Sequence, residues 1–453
     1  MGNIKVPETL YAQSGEVSIA YQVFGNGSRD LVYVPGIISH LELYWEDPSM
    51  AEWLTQLSQH FRVIILDKRG QGMSDRIESS ATLEDRIDDV NAVMEAAQST
   101  RATLLGLSEG GPLCLFFAAT YPDKVEKLIL FGSMARFYGD EDYPYSPTYE
   151  SLSGNLVPKF GKGAFAFMMG PKGSLSQSEI EGIARTERMS CSPSAFKKIL
   201  DANRLIDARP ILADVAQPTL ILHRRGDSAV NFKNSRFMAE RVPNCTYLEI
   251  PSKSHLPNLD DTHNLVNAIV QFASHEHEPA TAPLMGKRLS TALFTDIVQS
   301  TDKLLSMGDQ AWRNKLDAHD VIAHQKVAAY RGRIVKNTGD GILAVFDGPV
   351  RALQCAQALI TELEAIGLPI RAGLHVGEVV NRGDDVTGIA INIAARVMDK
   401  AKANQTLLTK TLKDLTGGSN IEFESLGKFE LKGLPDQFEL FTPMNDSNKA
   451  EQH

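Results

Sequence analysis

The sequence predicts an α/β chain in two parts: a mostly parallel sheet covered by helices on both faces, followed by a smaller α+β unit. Three observations carry this expectation. The apolar runs "DLVYVPG", "FRVIILD", "ATLLGLS", "KLILFGS" and "PTLILH" are near-continuous rather than alternating, and helical stretches separate them, as in a parallel sheet buried on both faces. Further along, "STALFTDIV", "GRIVKNTGDGILAVF" and "IRAGLHVGEVV" alternate with amphipathic helices such as "PVRALQCAQALITELEAIG". The middle run holds a hairpin, which adds an antiparallel component. Between the two regions lies "SHEHEPATAPLMGKR" (274–288), rich in Pro, Ala and charge and without apolar period. The expected division is therefore 1–273, a linker 274–286, a second unit 287–443 and a tail 444–453.

Bulk properties narrow the class. A chain of 453 residues exceeds one ordinary core. Apolar content of 43% and charged content of 23% describe a globular protein. The formal net charge of -10, with no long basic run, argues against nucleic acid or an anionic membrane surface as partner. Cys114, Cys191, Cys245 and Cys355 are far apart and form no CxxC pair, which fits reduced thiols better than a disulfide framework or a zinc site. The N-terminus lacks the apolar core of a signal peptide, and no apolar stretch is long enough to span a bilayer. Gly2 is followed by Val6 where a myristoylation motif needs Ser or Thr. A cytoplasmic location without membrane attachment is expected.

The first unit contains "LLGLSEGGPLCLFFAATYP", in which Gly106-Leu107-Ser108-Glu109-Gly110 forms G-x-S-x-G directly after a strand and before a helix. A sharp strand-to-helix turn needs small residues on either side and lifts a serine hydroxyl above the sheet. Asp227 follows a later strand in "HRRGDSAV", and His255 follows the last in "IPSKSHLPNL". Ser, Asp, His is the chain order such an elbow requires. On these motifs residues 8–273 resemble the α/β-hydrolase family. The resemblance implies Ser108 as nucleophile, His255 as general base and Asp227 as the residue orienting the imidazole, with a small acyl or ester ligand in the pocket. It also implies oxyanion-hole amides at Ile37 and Glu109, with Pro35-Gly36 standing where many members carry His-Gly. Residues 134–210, rich in Tyr, Phe, Met and Gly, would form a lid. His223 ends a strand and reads as a packed or capping residue; His263 starts a helix. Pockets of this family also serve as ligand sensors.

In the second unit, Asp340 sits between two glycines at the corner of "IVKNTGDGILAVF", and Asp296 follows the apolar strand of "STALFTDIVQST". Singly, each has an ordinary explanation, as turn chemistry or a helix cap. Together they place two carboxylates at one point, as hard divalent cations beside phosphates require. Magnesium or manganese is expected, because neither motif holds His or Cys. At this point the unit resembles the catalytic domain of class III nucleotide cyclases, over 287–443, with "INIAARV" (391–397) as the third motif. The resemblance implies that Asp296 and Asp340 bind two metal ions, Mg2+ or Mn2+, with the Ile297 carbonyl. It further implies that Asn392 orients the ribose, that Arg396 faces the phosphates, and that Lys336 and Asp385 read the base.

A donor and a carboxylate suit adenine rather than guanine, although Asp384 is one register away. Such cyclases work as homodimers with shared sites, and the domain order resembles actinobacterial hydrolase–cyclase fusions. The expected function is an adenylate cyclase making cyclic AMP from ATP, with an esterase-like or ligand-sensing first domain. The alternatives are a hydrolase or sensor with a weak or nucleotide-binding-only cyclase domain, and a guanylate cyclase.

Overall fold

In the computed structural model, the residues described are 6–77, 81–169, 175–274, 287–382, 385–419 and 421–444. The chain divides into two compact units, Met1–Pro283 and Leu284–His453.

The first unit is built on an eight-stranded sheet in the order β1-β2-β4-β3-β5-β6-β7-β8. Its strands are β1 (Leu10–Ser14), β2 (Val17–Phe24), β3 (Asp30–Val34), β4 (Arg62–Leu66), β5 (Ala102–Leu107), β6 (Val125–Phe131), β7 (Thr219–Arg224) and β8 (Cys245–Ile250). From β4 to β8 every pairing is parallel, while β1 and β2 form an antiparallel edge. Burial on both faces explains the unbroken apolar runs. Leu31, Tyr33, Val63, Ile65, Leu105 and Ile129 point to one face, where they pack on helices Pro48–Ser58 and Thr262–Ser274. The alternate residues Val32, Ile64 and Leu104 are equally buried. Helix Gly110–Thr120 packs on β5 and β6 and against helix Leu83–Ala96.

Between β6 and β7 the chain leaves the sheet to form helices Tyr149–Leu156, Gln177–Ser190 and Pro193–Asn203. They close over an aromatic cluster in which Phe160 stacks on Phe196 at 4.1 Å. The carboxylate of Glu187, fully buried, accepts from the amides of Gly161 (2.6 Å), Gly163 (3.0 Å) and Phe165 (2.9 Å). One side chain thereby fixes the turn that carries those aromatic residues.

The expected linker begins one residue early, because Ser274 closes helix Thr262–Ser274, whose buried face Leu265, Ile269, Phe272 and Ala273 extends to that end. Residues 275–286, and the tail beyond Met444, lie outside the described residues.

The second unit has its own eight-stranded sheet, β10-β11-β9-β12-β14-β16-β15, with β13 paired to β12. Its strands are β9 (Lys287–Ile297), β10 (Arg333–Asn337), β11 (Ile342–Phe346), β12 (Ile370–Arg382), β13 (Asp385–Thr387), β14 (Thr406–Thr409), β15 (Phe423–Glu430) and β16 (Gln437–Pro443). All pairings are antiparallel except β12 with β14. The stretch "EVVNRGDDVTG" forms part of a hairpin: Val380 pairs with Thr387 and Asn381 with Val386. Val379 and Val386 are buried in one apolar cluster, which holds β13 on the sheet.

Candidate functional site

The turn after β5 is dictated by close packing. Ser108 adopts φ 51°, the left-handed region, at the strand-to-helix corner. A Cβ on Gly110 would stand 2.4 Å from the Val34 carbonyl oxygen, and one on Gly106 2.8 Å from the Gly111 Cα. Only glycine fits either position, so the motif is a packing requirement before it is a chemical one. The loop after β3 comes equally close: a Cβ on Gly36 would lie 3.4 Å from that of Ser108.

His255 Nδ1 lies 2.8 Å from Asp227 Oδ2. The other oxygen, Oδ1, accepts from the amides of Ala229 (2.8 Å) and Val230 (2.9 Å). Burial alone would raise the Asp227 carboxyl, but His255 and His223 beside it outweigh that and hold it well below the usual carboxylate range. An ionised Asp227 fixes the proton on His255 Nδ1 and leaves Nε2 bare. Nε2 is buried and has no hydrogen-bond partner among the described residues. His223 is also fully buried, bonded to Ser235 Oγ and the Val230 carbonyl with Nε2 3.5 Å from Asp227. It packs behind the aspartate, and His263 is exposed on helix Thr262–Ser274.

Ser108 opens onto a cavity beneath the aromatic helices, walled by Ile37, Met134, Phe137, Leu156, Phe165 and Val230. The Ile37 and Glu109 amides donate no hydrogen bond among the described residues. The Glu109 side chain turns away from the cavity into an ion network with Lys68 and Arg86.

In the second unit, Asp296 lies on β9 and Asp340 in the β10–β11 corner. The corner is tied to β9 by the Ile297 amide donating to the Asp340 carbonyl (2.8 Å) and closed by Thr338 donating to Gly341 (2.9 Å). Gly339 has φ 105°, and a Cβ on Gly341 would be 1.8 Å from the Thr295 carbonyl oxygen. Gly339 is demanded by its left-handed backbone and Gly341 by the corner's approach to β9, which brings the two carboxylates together. The Asp296 carboxyl is raised, first by burial and then by the charge of Asp340, against the opposing pull of Arg371. Arg371, directly opposite on β12, donates to Asp296 Oδ2 through Nε (2.9 Å) and Nη2 (2.6 Å). Ser300 Oγ donates to Asp340 Oδ2 (2.6 Å).

Asp296, Ile297, Ser300 and Arg371 line one cavity. None of the other expected nucleotide residues does. Lys336 and the opening residue of β13, Asp385, face each other at 3.5 Å, both about half exposed. Asp384 lies outside the described residues. Asn392 and Arg396 are one turn apart on helix Ile389–Met398, with Arg396 held by Asp399 at 3.0 Å. Among the described residues no three His, Cys, Asp or Glu side chains gather as a metal cluster. The donor set for a hard cation is two repelling carboxylates beside a main-chain segment, which fits magnesium or manganese. No described helix is long and apolar enough to cross a membrane.

A family model described as the alpha/beta hydrolase fold matches residues 31–167. Over 272 residues the chain is 26% identical to the pimeloyl-[acyl-carrier protein] methyl ester esterase of Nitrosospira multiformis, covering 57% of this chain and 99% of that protein. The solved bromoperoxidase of Bacillus anthracis shares the fold over 59% of this chain and all of its own, with TM-score 0.51 and 23% identity. The N-terminal unit has the α/β-hydrolase fold. A further similarity, 26% over 166 residues, is to "Putative adenylate cyclase 3" of Rhizobium meliloti; it spans 34% of this chain and 28% of that protein.

In the α/β-hydrolase domain the sequence motifs pointed to Ser108, Asp227 and His255, but not to the Lys68–Glu109–Arg86 network or to Glu187. In the second unit they missed Arg371 and Ser300. Each of these joins positions far apart in the chain through a register or a fold that no local pattern reveals. The nearest available signal was Glu109 itself, a charged residue inside an otherwise apolar elbow.

Proposed function

We propose that the α/β-hydrolase domain hydrolyses esters of small apolar acyl groups and that the second unit converts ATP to cyclic AMP and diphosphate. The single observation carrying the first half is the buried, unpartnered Nε2 of His255, made a proton acceptor by Asp227. In that reading Ser108 Oγ bonds the acyl carbon as its proton passes to His255 Nε2. The same proton then leaves with the alkoxide, and water, deprotonated by His255, cleaves the acyl-serine. The apolar cavity favours an acyl chain over a charged one. An ester panel tests this: the wild type should cleave p-nitrophenyl butyrate and Ser108→Ala should not. Equal rates in the two would remove Ser108 as nucleophile.

The second half rests on the carboxylate pair Asp296–Asp340, brought together by the glycine corner. When bound there, Mg2+ or Mn2+ would supply charge neutralisation for the triphosphate and acidify the ribose 3′-hydroxyl. The chain's own part is to hold those ions with Asp296, Asp340 and the Ile297 carbonyl, and to orient the ribose with Asn392. Arg396 meets the charge developing as the 3′-oxygen, its proton released to solvent, bonds the α-phosphorus and diphosphate departs. Lys336 and Asp385 would offer adenine a donor and an acceptor. Their separation from the Asp296 cavity supports a site completed by a second copy of the chain, in a homodimer. Incubation with Mn2+ and ATP should yield cyclic AMP, and Asp296→Ala should yield none. Cyclic GMP from GTP at a higher rate would reverse the base assignment.

A further inference from the structure

Directly behind the elbow lies a buried ion network. The Glu109 carboxylate, 2% exposed at the side chain, pairs with both Lys68 and Arg86, whose Nη1 is 2.9 Å away. One carboxylate thus faces two buried cations. Arg86 alone would neutralise it, and Arg86 is further held by Asn203 Oδ1 (2.9 Å) at the end of helix Pro193–Asn203. The neighbouring Asp67 carboxyl bonds the amides of Leu41 (3.1 Å) and Met73 (2.8 Å) and forms no ion pair with Lys68 among the described residues. Lys68 is therefore not needed to neutralise Glu109, and keeping an ammonium in the interior carries a burial cost.

Its second bond shows a use for it. Lys68 Nζ donates to the Gly36 carbonyl at 2.6 Å. Among the described residues no peptide bond is cis, so across the Gly36–Ile37 peptide the C=O and N–H point in opposite directions. Anchoring the carbonyl on Lys68 fixes the plane of that peptide and with it the direction of the Ile37 N–H, and Ile37 lines the cavity onto which Ser108 opens. The carbonyl's bond to a cation also polarises that N–H, making it a better donor. Through Glu109, the same ammonium restrains the residue carrying the other free amide.

We propose that Lys68 is a positioning residue for the oxyanion hole, orienting and polarising the Ile37 amide and placing a buried positive charge behind the developing oxyanion. The inference rests on the esterase reading above for its reaction, but its geometry concerns the hole itself. The charge acts at one remove, so its loss should cost less than removing a hole donor outright.

The test uses the full chain and Lys68→Met, which keeps the aliphatic bulk and leaves Glu109 balanced by Arg86. For ester hydrolysis kcat should fall by about 10- to 100-fold with KM within about twofold, while the melting temperature holds or rises. A role in folding alone would instead lower the melting temperature and leave kcat of the folded fraction unchanged, and that result overturns the inference.

A second readout needs no turnover. Phenylboronic acid becomes a tetrahedral anion when its boron bonds Ser108 Oγ, the serine proton passing to His255, and it sets an oxygen in the hole. Its affinity should weaken in Lys68→Met by a factor similar to that in kcat. If the wild type cleaves no ester yet binds the boronate more tightly than Lys68→Met does, the esterase reading fails and the Lys68 assignment stands. Equal boronate affinity in the two proteins, or none in the wild type, overturns the assignment whatever the ester panel shows.

Discussion

Replacing Asp227 by Asn changes one atom's chemistry and leaves its shape. The consequence follows from where the carboxylate's bonds go. Oδ1 accepts two amides, those of Ala229 and Val230, and Oδ2 faces His255 Nδ1. Only the asparagine oxygen can serve the two amides, so its NH2 must face His255. The imidazole then has to accept at Nδ1 and carry its proton on Nε2, the atom that must receive the Ser108 proton. The tautomer is wrong, and no stabilising charge remains for the imidazolium. A loss of about 10⁴-fold in kcat, about 5.5 kcal/mol of barrier, is expected. Initial rates on p-nitrophenyl butyrate measure it against a Ser108→Ala background, with melting temperature as a check that the fold persists. An Asp227→Asn protein within tenfold of wild type would show that His255 is not oriented through Asp227, and the derivation of the triad would fall.

Further predictions concern both units. Glu187→Ala orphans three amides at once and should destabilise the first unit by about 3 kcal/mol in urea unfolding; a change under about 1 kcal/mol would mean the turn holds itself. Gly341→Ala should abolish cyclic AMP formation and leave ester hydrolysis intact, because its Cβ would stand 1.8 Å from the Thr295 carbonyl oxygen and push the corner off β9. Wild-type cyclisation in that variant would dissociate the corner from the chemistry. Asp340→Ala and Arg396→Ala should each be inactive in cyclisation, yet recover about a quarter of wild-type activity when mixed with full subunit exchange. Continued inactivity would exclude a shared site.

His375, buried and bonded to Thr409 Oγ1 at 2.8 Å, has its imidazole pushed down to about 4 by burial. The unfolded chain takes up this proton near pH 6.5 and the folded one does not. His375 therefore contributes stability that is present above pH 6.5 and lost as pH falls toward 4, by about 3 kcal/mol in all. Unfolding of the second unit should weaken less over that range in His375→Asn, and parallel pH profiles would contradict the assignment.

What could be read in the sequence was what local sterics impose. The elbow was legible because Gly106 and Gly110 are the residues that close packing against β3 and helix Gly110–Thr120 permits. The β10–β11 corner was legible because glycines flank Asp340 between two apolar runs, a turn pattern set by local backbone sterics. The strands showed as apolar runs because both faces of the sheet are covered. The hairpin of β12 and β13 was missed because its glycine and aspartates dominate the pattern, while the pairing of Val379 with its buried surroundings depends on the sheet. Long-range polar partners were invisible for a similar reason. Arg371 meets Asp296 across 75 positions, through a strand register. Lys68 meets Glu109 across 41 and reads in "LDKRGQG" as an ordinary surface charge.

The central claim is that one chain carries two chemically independent sites, and it is tested most directly by measuring both activities on the same three preparations. Wild type, Ser108→Ala and Asp340→Ala are each assayed for p-nitrophenyl butyrate hydrolysis and for cyclic AMP formation from ATP with Mn2+. The wild type should perform both reactions; Ser108→Ala should lose only the first and Asp340→Ala only the second. If Asp340→Ala still forms cyclic AMP at the wild-type rate, or if the wild type forms none, the assignment of the second site is contradicted.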